Sequence, residues 1–229
     1  MTTTTHTPIH IPTPTVRHSA ATKLATEAIG TLFLVFTIGA CVRGGAALAP
    51  LGIGAVLMVM VYAGGHVSGA HYNPAVTLAV LVRRRIDVRD AIGYWLAQFT
   101  GGVAGATLVV AVVPRGHTEP LALSGHAMVA AVAVEFLVTF ALCYVVLNVA
   151  TSKDHPDNSF YGLAIGFTVA AGAIAVGGIS GGAFNPAVVL GAIAMGLLSP
   201  QVLVIYIAGQ ALAAVAAGMT FRALNPTDD

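Results

Sequence analysis

The hydrophobic residues of this chain gather into long runs separated by short polar stretches. Six runs approach the about 20 residues that an α-helix needs to cross a bilayer: Ala20–Val42, Ala49–Gly65, Arg89–Val113, Ala127–Val149, Phe160–Val176 and Gln201–Phe221. Two further runs, Pro74–Val82 and Pro186–Leu197, have about half that length, and a glycine-rich stretch precedes each. Non-helical backbone at membrane depth persists only where it is buried in protein or lines a watery cavity. Half-helices entered through glycine-rich loops therefore imply a cavity within the bundle.

Composition fixes the solvent. Hydrophobic residues make up 57% of the 229 positions and charged residues 8%, with a mean hydropathy of +0.87. A water-facing domain carries about 25% charged residues, so the surface of this chain faces lipid. The net charge of +1 offers no field for nucleic acid. Cys41 and Cys143 lie in apolar surroundings and read as buried thiols, with a bridge between them left open. Residues Met1–His18 are rich in Thr, Pro and His and cannot bury enough surface to order themselves, so a disordered tail is expected there.

The basic residues set an expected orientation. With the N-terminus inside the cell, Arg17, Lys23, Arg83, Arg84, Arg85, Arg89, Lys153 and Arg222 are cytoplasmic, and only Arg43 and Arg115 fall outside. This satisfies the positive-inside rule. It makes the chain a multi-pass cell-membrane protein with both termini in the cytoplasm.

The chain also repeats itself. "GGHVSGAHYNPAVTL" in the first half returns as "GGISGGAFNPAVVL" in the second. Asn73 and Asn185 lie 112 residues apart, Glu27 and Glu135 lie 108 apart, and Gln98 and Gln210 each follow their asparagine by 25. Each unit reads span, span, half-helix, span. Three spans per unit put the second copy upside down, and inverted repeats place a site at the bilayer midplane. Asn is a strong N-cap, and Pro suits the first helical position. If each Asn oxygen caps its own half-helix, its amide NH₂ remains as a fixed donor. Two opposed half-helices then bring both positive dipole ends to the midplane. A water oxygen accepting from both amides turns its hydrogens outward, which breaks a proton relay while the dipoles repel cations.

Paired Asn-Pro-Ala motifs (Asn73, Pro74, Ala75 and Asn185, Pro186, Ala187) among six spans resemble the aquaporins, the major intrinsic protein family. The resemblance covers Ala20 to Phe221, and "GYWLAQFTGG" is similar to the bacterial members. It implies an all-α membrane protein of six transmembrane helices plus two half-helices in an inverted repeat. The expected channel domain is 19–222, with repeats at about 20–113 and 127–221 and a C-terminal tail at 223–229. The resemblance further implies homotetramers with one pore per subunit, and water and small neutral solutes as the molecules handled. Glu27 and Glu135 are implied to brace the loops, and His66 to line the cytoplasmic arm of the pore.

The family narrows at an outer filter of an aromatic, often a histidine, a loop carbonyl and an arginine. Aligned from each Asn, these places fall on Ile53, Ala173, Gly182 and Val188. Arg is a fixed cation with five donors; Val188 is neither plug nor charge. A wider, apolar constriction is expected, open to ammonia, hydrogen peroxide and also glycerol or urea, as in the plant vacuolar-membrane branch that the pattern resembles. Val189 stands where the glycerol branch has Asp. Other readings stay open: a strict water channel whose filter is refilled by another side chain, a pore closed by dewetting, or a secondary transporter, which shares inverted repeats with broken helices. An enzyme is not expected, since no metal cluster or nucleophile–base pair lies at depth, and neither is a cofactor.

Overall fold

The computed structural model describes residues 18–114 and 119–228. The tail expected at Met1–His18 therefore lies outside the described residues except for His18, and so does Arg115. Among the described residues the architecture is all-helical: α1 (Ala20–Arg43), α2 (Ala49–Ser68), α3 (Pro74–Val82), α4 (Val88–Val112), α5 (Gly125–Ala150), α6 (Tyr161–Ser180), α7 (Pro186–Ala194) and α8 (Leu203–Leu224). Six of these are long and apolar enough to cross a membrane. The other two, α3 and α7, have 9 residues each. At 1.5 Å per residue each is about 13 Å long, under half of an about 30 Å hydrocarbon core. The expected six spans and two half-helices are present.

Most long helices run to or past their expected ends, α6 by four residues to Ser180, whereas α7 stops at Ala194 rather than Leu197. Gly196 takes a left-handed backbone (φ 72°). Its N–H donates to Ile193 O, and the Leu197 N–H to Ala192 O, which is the Schellman arrangement that closes a helix. α3 ends in the same way, with Arg84 at φ 66° and the Arg85 N–H donating to Val80 O. At the other end of the chain α8 runs to Leu224, and beyond it Asp228 is buried.

The two halves are interlocked. Half-helix α3, from the first repeat, packs on α8 and α5 of the second, while α7 packs on α4 and α1 of the first. The long helices join through α1–α4, α2–α6 and α5–α8. At the α2–α6 crossing a Cβ on Gly54 would sit 2.6 Å from Gly166 O. Gly101 and Gly105 bring α4 against the Ala28 and Leu32 carbonyls of α1. Small residues let membrane helices approach in this way, where dispersion rather than the hydrophobic effect drives association. Cys41 and Cys143 are both free thiols.

Candidate functional site

The half-helix tips meet through reciprocal bonds. Asn73 and Asn185 have extended backbone and cap α3 and α7, each Oδ1 accepting from the alanine N–H two residues on at 2.9 Å. Pro74 and Pro186 occupy the first helical positions. Asn73 Nδ2 donates to Phe184 O and Asn185 Nδ2 to Tyr72 O, both at 2.9 Å. One N–H of each amide is thus committed to the opposite loop, and the second remains for a ligand. The sequence alone suggested both were free. Tyr72 and Phe184 reach this position with φ 49° and 50°, left-handed values that turn their carbonyls toward the opposite asparagine.

The two buried glutamates hold the loops. Glu27 Oε1 accepts from Ser68 Oγ (2.6 Å) and the His71 N–H (3.0 Å), and its Oε2 from the Tyr72 N–H (2.7 Å) and Gln98 Nε2 (2.8 Å). Glu135 accepts from Ser180 Oγ, the Ala183 and Phe184 N–H groups and Gln210 Nε2 at 2.7–2.9 Å. Each carboxylate gathers four donors from three segments, so backbone that has left the helix stays hydrogen-bonded away from water. Sequence reasoning missed two further pairs. Tyr94 Oη donates to Ser68 O and Tyr206 Oη to Ser180 O. Their signal was present, since each tyrosine follows its serine by 26 residues.

Two cavities flank His71. A vestibule of about 740 Å³ opens on the side of Lys23, Arg85 and Lys153. Beyond His71 lies a chamber of about 20 Å³, lined by both asparagines and by Ile53, Gly182 and Val188. A void needs about 10–15 Å³ of such space to hold one water, so this chamber has room for about one. The rest of its wall is aliphatic apart from the 183–184 loop: Leu34, Ile38, Leu57, Val76, Leu142 and Val169. Among the described residues no arginine lines it.

Three of the four expected filter residues thus come together around one chamber. Ala173 does not line it; Val169, one turn earlier on α6, does. His66 lines neither cavity. The face of α2 toward the vestibule carries Val61, Gly65, Ser68 and Gly69, a helical stripe that His66 misses by one position. His66 is exposed, with its ring edge-on to His18 at 6.1 Å. The histidine that borders both cavities is His71, its Nδ1 3.0 Å from Thr77 Oγ1.

Two half-helices meeting tip to tip inside an inverted six-span bundle define a membrane channel. The profile of the family described as Major intrinsic protein matches residues 14–177 and 162–228, and the chain belongs to that family, whose members are channels for water and small solutes such as glycerol and not enzymes. It is 38% identical to the Glycerol uptake facilitator protein-like 6 of Lactiplantibacillus plantarum, over 90% of this chain and 99% of that one. It is 39% identical to Aquaporin NIP2-1 of Oryza sativa subsp. japonica over 74% of this chain and 59% of the relative. The fold matches the X-ray structure of the aquaglyceroporin from Plasmodium falciparum with a TM-score of 0.70 at 21% identity, covering 91% of this chain and 96% of that one.

Proposed function

We propose that this protein is a passive pore for water and for ammonia, hydrogen peroxide and other small uncharged solutes, extending to glycerol or urea. Asn73 and Asn185 are the central donors that exclude protons and ions, and Ile53, Gly182 and Val188 form the constriction. The observation that carries this reading is the chamber at the half-helix tips, where two amide donors face aliphatic side chains and no arginine or lysine among the described residues. Pore selectivity comes down to diameter, lining donors and electrostatic barriers. With valine at 188 no arginine or lysine among the described residues supplies the third, and the second comes from the asparagines, the loop and His71. Channel domain 19–222 sits in the cell membrane with both termini cytoplasmic, a placement supported by the vestibule's shared Lys23, Arg85 and Lys153. It works as a homotetramer with one pore per subunit.

A second reading, water alone, rests on chamber size and on Val169 filling the side where Ala173 was expected. A solute panel on purified protein in liposomes separates the two. Under the main reading the wild type passes ammonia and peroxide, and Val188→Arg cuts their uptake about tenfold or more while water flux persists. Equal uptake in both proteins places the constriction elsewhere. Water flux with no solute uptake favours the second reading.

A further inference from the structure

Gly69 and Gly181 occupy matching places in the two half-loops, and both hold left-handed backbone at φ 86° and 84°. Lacking side chains, each depends on neighbours for its packing. In the first half-loop the cover is local: a Cβ built on Gly69 would lie 3.4 Å from His71 Nε2. The second half-loop has Ala183 where the first has His71, and alanine has no ring to fold back. Its cover comes from outside. Leu198 Cδ2 and Leu121 Cδ2 lie 3.0 and 3.6 Å from a Cβ built on Gly181.

Leu198 follows α7, while Leu121 belongs to the connection between α4 and α5. That connection is tied down at this point. The Leu121 N–H donates to Leu197 O at 3.0 Å, and the Ser199 N–H to Leu121 O at 3.1 Å. They form an isolated parallel bridge between Leu121 and Leu198. On either side of the glycine pair the half-loop is fixed, by Ser180 (to Glu135 and Tyr206) and by the Ala183 N–H (to Glu135). Between these anchors the Gly181 N–H donates to Gly177 O and the Gly182 N–H to Ser180 Oγ, and both residues hold the positive φ that glycine tolerates. Gly182 lines the chamber opposite aliphatic residues.

We infer that Leu121 is a positioning residue for permeation. By filling the space beside Gly181 it fixes where Gly182 stands relative to Val188 and Ile53, and so sets the largest solute the chamber admits. The stretch around Leu121 acts as a strap that replaces, in the second repeat, the cover His71 gives the first. The inference rests on the constriction proposed above.

The test uses full-length protein in liposomes, with water permeability read from osmotic shrinkage and urea and glycerol permeability from re-swelling. Leu121→Ala is expected to raise the urea-to-water and glycerol-to-water ratios by about threefold or more. Leu121→Met, which keeps a methyl group within reach, holds the wild-type ratios. If Leu121→Ala does not yield folded protein, Leu198→Ala removes the other methyl group beside Gly181 and carries the same expectation. A purely structural role lowers yield and scales all fluxes together; unmoved ratios in a conducting variant overturn the inference. A folded wild type that conducts nothing contradicts the channel reading itself, a result distinct from conduction with unmoved ratios.

Discussion

Glu27 and Glu135 show what single side chains must do when backbone leaves the helix at membrane depth. Each accepts four hydrogen bonds, two of them from consecutive N–H groups of its half-loop. Converting either to Gln turns an acceptor into a donor facing other donors. An unsatisfied buried group costs about 1–3 kcal/mol, so Glu27→Gln and Glu135→Gln should each lower the thermal midpoint of the detergent-solubilised protein, by similar amounts. A midpoint unchanged in either variant contradicts the bracing role. At this scale the sequence was partly legible. The asparagines and glutamates announced themselves by repeating, because a repeat needs no knowledge of helix rotation. Ala173 and His66 were placed by counting along the chain, and counting does not say which way a helix faces. One turn separates Ala173 from the chamber-lining Val169, and one residue takes His66 off the vestibule stripe.

At the level of elements, the half-helices are secured at both ends. The N-terminal tips meet each other through Asn73 and Asn185, and Trp95 Nε1 donates to Pro74 O. At its far end α3 is capped by Arg83, whose guanidinium lies 4.5 Å over the Phe221 ring and 2.7 Å from Asp228. Asp228 also takes Arg85 at 3.2 Å and the Lys153 N–H at 3.0 Å, tying α3, the α5–α6 connection and the end of α8 together. Residues 223–229 had read as a tail because a polar segment after the last apolar run gives no sign of a distant arginine. Desolvation works against ionisation of Asp228, but the Lys153 N–H, the Ser152 hydroxyl and Arg83 outweigh it and hold the carboxyl below its ordinary value. A depressed acid contributes stability that is full above its unfolded pKa, about 3.9, and is lost as pH falls through the folded value. Asp228→Asn should therefore melt lower than wild type at pH 7, and the difference should shrink below about pH 4. A constant difference across that range contradicts the ion-pair account.

Over the whole molecule, the decisive feature is that each half-helix packs on the opposite repeat, α3 on α8 and α5, α7 on α4 and α1. Neither repeat alone closes a passage; together they place two amides and a ring of aliphatic side chains around space for about one water. This architecture was legible from run lengths and the repeat, since only lipid as solvent permits such a composition, and only a cavity permits half-length helices. The width of the passage was not legible, because it depends on how six helices rotate against one another. On the function proposed above, the paired tips form an open single-file route. Osmotic shrinkage of proteoliposomes, followed by stopped flow at several temperatures, tests it most directly. The account predicts rates well above protein-free vesicles, an activation energy close to that of water diffusion, no saturation, and no proton flux under an imposed pH gradient. Shrinkage no faster than bare lipid in folded, inserted protein, or transport that saturates and carries protons, would contradict it.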